Sequence, residues 1–149
     1  MAARAKWGAS PDLVISGPNE GNNTGHINPS SGTFNNLLYA INRGLPALAV
    51  SDATTSQVNW SATLPATARA FEVADVVVRL LDEVLEIRPP RHHAERRDGR
   101  PLMPAGIGLN VNVPAFAAGT GATLPFAVTQ VGLATAYAPA FFAKLSDSE

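Results

Sequence analysis

The chain has 149 residues, of which 46% are hydrophobic and 15% charged, and its formal net charge at pH 7 is −1. These values predict a single globular domain, and the near-neutral charge excludes a global field that would recruit nucleic acid or anionic lipid. Because the sequence contains no cysteine, disulfides and a cysteine nucleophile are excluded. We expect a cytoplasmic protein without a membrane partner, since no signal peptide or apolar span is evident.

The first half of the chain predicts a strand, a loop, a helix and a second strand. Residues 13–15 form a short apolar run that closes at Gly17, which is typical of a buried strand. A polar loop rich in asparagine and glycine occupies residues 16–33. Apolar residues then recur at helical spacing over 33–44, and the apolar segment 45–51 indicates the next strand. This order predicts parallel strands connected by a helix.

The second half predicts a further helix and two further strands. The helix follows Pro65 and carries charged residues on the face opposite its apolar residues, where we expect them to be solvated. Residues 107–113 alternate strictly and give the clearest strand, and residues 125–132 predict another. The arginine-rich segment 88–101 is interpreted as a solvated connector, with contact to a polyanion as the alternative. The apolar residues of the helix are Phe71, Ala74, Val77, Val78, Leu81, Val84 and Leu85.

The polar loop carries the candidate functional residues. Ser31, Gly32 and Thr33 lie directly before the predicted helix, where free backbone N–H groups and the helix dipole favour an anion such as phosphate. The alternative is that Ser31 or Thr33 only caps the helix. Asn19 follows the first strand, at the edge where open parallel sheets bind ligands, and its amide oxygen suits a hard divalent cation. Asn23 suits the same site or a left-handed turn.

Several segments together resemble a known family. The stretch "PDLVISGPNEGNNTG" (11–25), followed by "SGT" (31–33), resembles the signature of the SurE family, the survival-protein nucleotidases and acid phosphatases. The segment "GLPALAVS" (44–51) is similar to the family's next strand, and "LMPAGIGLNVNVP" (102–114) is similar to its Leu-x-Pro-x-Gly-x-x-Leu-Asn-Val-Asn-x-Pro segment. A weaker Val-Thr-x-x-Gly element is matched by "VTQVG" (128–132).

The resemblance implies a Rossmann-like three-layer α/β/α sandwich, incomplete because its first strand is missing. It also implies a phosphomonoester hydrolase, a 5′-nucleotidase or acid phosphatase, that depends on Mg²⁺ or Mn²⁺ and forms a homo-oligomer. Asn19 matches the family's asparagine metal ligand. Asn23, Ser31, Gly32 and Thr33 match its phosphate-binding residues. The implied partner is a phosphate monoester or nucleoside monophosphate, and not a nucleic acid polymer.

The sequence also departs from the family pattern. The Asn-Asp-Asp-Gly motif, whose aspartates hold the metal in the family, occurs nowhere in these 149 residues. Asp12 lies at the wrong end of the first strand, Asp52 has no second acid beside it, and Glu20 stands at a position that the family leaves variable. His26 falls where the family has acidic residues, and we interpret it as an exposed loop residue.

We therefore expect a single SurE-like domain over residues 1–149 that is truncated at its N-terminal and C-terminal ends. Two alternatives to an active hydrolase stay open. The chain is a non-catalytic remnant that still binds phosphate or a nucleotide, or it is an oligomerisation partner for a full-length relative.

Overall fold

The computed structural model describes residues 11–54, 63–65, 68–86, 103–104 and 106–133. Within these ranges the chain forms a parallel three-stranded sheet in the order β1-β2-β3, with two α-helices and two short 3₁₀ helices. No helix in this part of the chain is long and apolar enough to cross a membrane. The elements are β1 (Val14–Glu20), a 3₁₀ helix (Gly25–Ser30), α1 (Gly32–Ile41), β2 (Ala47–Asp52), α2 (Arg69–Glu86), β3 (Gly108–Val113) and a second 3₁₀ helix (Gly121–Thr123).

The central strand β2 is buried along its whole length and separates two apolar layers. Ala47 and Ala49 pack against α1, whereas Leu48 and Val50 pack against Val77 of α2. Because successive side chains of a strand point to opposite faces, the two helices lie on opposite faces of the sheet. The predicted α/β fold with parallel strands is confirmed.

The connections between the strands differ in hand. The three parallel strands follow one another in the same direction across the sheet, yet α1 and α2 cover opposite faces. A crossover that moves in the same direction on the opposite face has the opposite hand, so one of the two crossovers is left-handed. Crossovers of this kind are rare in parallel sheets.

The buried face of α2 is narrower than the sequence predicts. Val73, Val76 and Val77 are buried, at the i, i+3, i+4 spacing of one helix face. Phe71 and Val78 are 48% and 56% exposed, so their predicted place in the apolar face is wrong. Both residues lie well around the helix from the buried valines, at 100° per residue.

Two predicted boundaries change. Strand β1 runs through Asn19 to Glu20, so the polar loop begins at Gly21 and not at residue 16. The predicted strand over 125–132 is wrong, because this segment is irregular and exposed. It pairs with none of the described strands, and strand-forming residues alone do not make a strand without such a neighbour. The arginine-rich segment 88–101 lies outside the described residues.

Candidate functional site

A row of polar side chains crosses the sheet where its strands end. Asn19 of β1 is the register partner of Ser51 in β2, and Ser51 is the partner of Asn112 in β3. Ser51 is completely buried. Ligands of open parallel sheets bind at this carboxyl edge of the strands, so the row marks the candidate site.

Asn19 enters the row because β1 contains an irregularity between Ser16 and Asn19. Gly17 has a φ of 104°, and a Cβ atom at this position would lie 2.1 Å from the carbonyl oxygen of Val50. Only glycine allows both this backbone conformation and the close approach to β2. Gly17 therefore permits the irregularity that shifts the register of the last residues of β1. From the sequence alone, the strand is predicted to end at this glycine.

Both ends of the Asn19 amide are engaged. Its Oδ1 accepts hydrogen bonds from Asn23 Nδ2 at 2.8 Å and from the Ser51 hydroxyl at 2.9 Å. Its Nδ2 donates to the carbonyl oxygens of Glu20 at 2.6 Å and Gly21 at 3.2 Å. The orientation of this amide is thus fixed by four protein contacts.

Asn23 is buried and connects the loop to all three strands. Its Nδ2 also donates to the Ser51 Oγ at 2.7 Å, and its backbone is held by Asn112 and Asn110 of β3. No described residue other than glycine has a positive φ, so the alternative of a left-handed turn at Asn23 is wrong. Direct contact between Asn23 and a phosphate stays a prediction.

Ser31 caps helix α1. Its Oγ accepts the backbone N–H of Phe34 at 3.1 Å, and its backbone has the extended conformation expected of an N-cap. The capping alternative is therefore confirmed for Ser31, whereas Thr33 lies inside the helix. Capping and anion binding do not exclude each other, because they use different N–H groups.

The two N–H groups next to this cap are open. Within the described residues, the backbone N–H groups of Gly32 and Thr33 donate no hydrogen bond. Gly32 is exposed, and apart from its chain neighbours and the adjoining helix backbone no atom lies within 4 Å of the position that a Cβ would occupy. The start of α1 therefore presents two free donors and the positive end of the helix dipole to open space.

The acidic residues singled out in the sequence do not gather at the site. Asp52 is buried and ion-paired with Arg69, whose Nε lies 3.0 Å from Asp52 Oδ1 and 2.9 Å from Oδ2. This hydrogen-bonded partner raises the pKa of Arg69 above its ordinary value. Asp12 and Glu20 are exposed, as is His26.

The described residues do not by themselves fit a divalent cation. They contain no group of three or more histidine, aspartate or glutamate side chains that could hold a metal ion. The amide oxygen of Asn19 already accepts two hydrogen bonds, and the carboxylate of Asp52 is bound to Arg69. A hard cation needs several oxygen ligands in addition to one amide.

The charged face of α2 fastens the segment that follows β3. Both carboxylate oxygens of Glu72 lie 3.0 Å from the N–H of Gly119, and Oε2 also accepts the N–H of Gly121 at 3.0 Å. These N–H groups lower the pKa of Glu72. Arg79 donates to the carbonyl oxygens of Ala122 and Leu124. For Glu72 and Arg79, the prediction of a merely solvated face is wrong.

Sequence reasoning missed the role of β3. The alternation over 107–113 places Asn110 and Asn112 together on one face, which faces α1. Two asparagines on a face that should be buried were the available signal, because buried amides need partners. Their partners in the loop more than 80 residues earlier are visible only in the fold.

The parallel sheet, the polar row at its carboxyl edge and the open start of α1 define an α/β protein with a site suited to an anion. The chain belongs to the SurE family, because the family model described as "Survival protein SurE" matches residues 1–137. The resemblance seen in the sequence is thereby confirmed.

Curated relatives carry phosphatase and nucleotidase names. The chain is 33% identical over 105 residues to an acid phosphatase of Yarrowia lipolytica, covering 69% of this chain and 27% of the relative. It is 37% identical over 110 residues to a 5′-nucleotidase SurE of Methanocella arvoryzae, covering 72% and 36%. It is 38% identical over 116 residues to a 5′-nucleotidase SurE of Symbiobacterium thermophilum, covering 78% and 36%. The chain thus spans 27 to 36% of the length of these relatives.

Proposed function

We propose that the protein is a phosphomonoester hydrolase whose substrates are 5′-nucleotides, that the 149-residue chain by itself hydrolyses them slowly, and that the start of α1 holds the phosphate. Membership of the SurE family and the names of its relatives support the reaction class. The observation that carries the assignment is the pair of free N–H groups at Gly32 and Thr33, which lie at an open helix start.

This pair suits the chemistry of a phosphate ester. The phosphate oxygens carry negative charge, and backbone N–H groups at a helix start donate to them without a counter-charge of their own. Because the donors are fixed by the helix, they need not reorganise as charge redistributes during the attack of water on phosphorus. The Ser31 cap keeps the first turn of α1 in place for this task.

A divalent cation, Mg²⁺ or Mn²⁺, with Asn19 as one ligand, would need further oxygen ligands beyond those that the described residues supply. Asn19 Oδ1 would have to release Asn23 or Ser51 to coordinate a cation. The steps assigned here to Gly32 and Thr33 do not depend on a metal.

A second candidate is binding of phosphate or a nucleotide without hydrolysis. It is favoured by the ion pair that engages Asp52 and by the two hydrogen bonds that Asn19 Oδ1 accepts. In this arrangement neither residue is free to activate a water molecule. Turnover of a phosphate ester separates the two candidates, whereas both require the phosphate contact at the start of α1.

The phosphate contact is tested by an NMR titration of the ¹⁵N-labelled chain with inorganic phosphate and then with AMP. We expect the largest amide shifts at residues 31–36, with Gly44 beyond the other end of α1 as the internal reference. Shifts that concentrate in the arginine-rich segment 88–101 and leave residues 31–36 unmoved would place the anion elsewhere and overturn the assignment.

A further inference from the structure

The backbone of Asn23 is held on both sides by strand β3. Its N–H donates to Asn112 Oδ1 at 2.8 Å, and its carbonyl oxygen accepts from Asn110 Nδ2 at 3.0 Å. Asn110 and Asn112 are two residues apart in one strand, so their side chains lie on the same face. The two amides therefore bind one peptide segment of the loop, one as acceptor and the other as donor.

The contact continues from Asn23 into the polar row. With its backbone fixed, Asn23 directs its side-chain Nδ2 to Asn19 Oδ1 and Ser51 Oγ, at 2.8 and 2.7 Å. The chain of contacts thus runs from β3 through the loop to the amide of β1. Removing either asparagine of β3 leaves Asn23 without one of its two backbone anchors.

A second contact connects β3 to the 3₁₀ helix that precedes α1. Asn110 Nδ2 also lies 3.4 Å from Oδ1 of the buried Asn28, within the 3₁₀ helix that leads into the Ser31 cap. The backbone N–H of Ser31 in turn donates to the carbonyl of Asn28 at 3.1 Å. Asn110 is therefore two contacts away from the first turn of α1.

Asn110 carries a cost that fold stability alone does not explain. Its Oδ1 is buried and has no partner among the described residues. A buried acceptor without a hydrogen bond is unfavourable, and an apolar side chain at this position would avoid it. The Nδ2 of the same amide is directed at two oxygen atoms of the loop.

We propose that Asn110 and Asn112 are positioning residues of the phosphate site. They hold the loop of residues 21–31 against the sheet, and through it they set the orientation of the Asn19 amide and the start of α1. Their effect on phosphate binding rests on the function proposed above, whereas their hold on Asn23 does not.

The two residues use opposite ends of their amides, which gives a matched test. Asn112→Asp keeps the acceptor oxygen that binds the Asn23 N–H. Asn110→Asp replaces the donor by an oxygen that faces two oxygen acceptors. Both variants add one negative charge on the same face of β3, so their difference isolates the hydrogen bonds from the charge.

The contacts of β3 with Asn23 are tested by measuring hydrogen exchange of the Asn23 amide by ¹⁵N NMR and the thermal unfolding of each variant. We expect its hydrogen-exchange protection to be retained in Asn112→Asp and to fall at least about fivefold in Asn112→Ala, the effect of one ordinary hydrogen bond. Asn110→Asp is expected to unfold at a lower temperature than Asn112→Asp. Equal behaviour of the two aspartate variants would overturn the proposal, and this comparison holds even where an alanine variant fails to fold.

The effect on the site is measured by phosphate titration of Asn110→Ala and Asn112→Ala, with Asn42→Ala, an exposed asparagine at the opposite end of α1, as the control. We expect phosphate to bind at least about fivefold more weakly to the first two variants. The control should bind phosphate as tightly as the parent chain. Unchanged affinity with a released loop would overturn the positioning role while leaving the proposed function intact. Absence of phosphate binding in the parent chain, with the Asn23 response as expected, would overturn the proposed function alone.

Discussion

At the scale of single residues, the candidate site is built from amides and hydroxyls and not from charges. An asparagine side chain donates at one end and accepts at the other, so Asn19, Asn23, Asn110 and Asn112 can link to one another without leaving a buried charge. A phosphate brings its own negative charge, and aspartates in the same positions would repel it. In the function proposed above, the neutral network therefore leaves the anion to the N–H groups of α1.

Gly32→Val tests those N–H groups directly. A Cβ at Gly32 meets no atom within 4 Å, so the valine side chain would fill the space above the helix start without a clash inside the protein. Since charge-assisted hydrogen bonds contribute about 1.5–3 kcal/mol each, loss of this contact should weaken phosphate binding at least about tenfold. Ser31→Ala and Thr33→Ala should weaken it less, because they leave the backbone donors accessible.

Gly132→Val is the matched control for this prediction, because Gly132 is also exposed and a Cβ there also meets nothing within 4 Å. Phosphate affinity is measured by the NMR titration, and melting temperature is measured for each variant. A Gly32→Val variant that melts like the parent chain and binds phosphate equally well would remove the helix start from the site.

At the scale of secondary-structure elements, α2 is both a packing helix and a clamp. Its buried valines cover β2 and β3, while Arg69, Glu72 and Arg79 bind backbone groups in the segment after β3. The helix and its position after Pro65 were predictable, because a 3.6-residue period over many residues is a strong signal. The clamp was not, since a charged helix face has the same sequence pattern whether its partners are water or a distant backbone.

Glu72→Gln should remove the pH response of this clamp. The N–H groups of Gly119 and Gly121, together with Arg69, hold the pKa of Glu72 below its ordinary value of 4.5. A carboxyl group whose pKa is lowered by folding stabilises the folded state above its ordinary pKa, and the stabilisation is lost as the pH falls through the folded value. The clamp should therefore be intact at neutral pH and weaken only below pH 4.5.

The measurement is the pH dependence of the Gly119 and Gly121 amide shifts. In the parent chain they should titrate together with a midpoint below 4.5. In Glu72→Gln this step should be absent, and in Glu83→Gln, an exposed residue of the same helix, it should persist. A midpoint at or above the ordinary value would show that the carboxylate does not bind these N–H groups in solution.

At the scale of the whole molecule, the sequence predicts the layers better than the site. Parallel strands and an intervening helix follow from short apolar runs and helical spacing, and the structure confirms them. The opposite hands of the two crossovers do not follow from sequence, because hand depends on which face each helix covers. The polar row could not be predicted from the sequence for a similar reason. Its members meet only through the register of three strands, which pairs Ser51 with Asn19 and Asn112.

The last prediction at this scale concerns the hydrolytic activity of the 149-residue chain by itself. We expect the 149-residue chain to bind phosphate but to hydrolyse p-nitrophenyl phosphate poorly with Mg²⁺ or Mn²⁺. Within the described residues, Asp52 is engaged by Arg69, and the Asn19 oxygen by two protein donors. Because even the loss of residues that only support metal ligands costs roughly 10–100-fold, the rate should fall at least about 100-fold below that of a curated relative assayed alongside.

The assay is run with and without EDTA, and with Glu20→Ala and Asp52→Ala. Rapid, EDTA-sensitive turnover that Glu20→Ala abolishes would contradict the prediction, since the exposed carboxylate of Glu20 would then be a metal ligand.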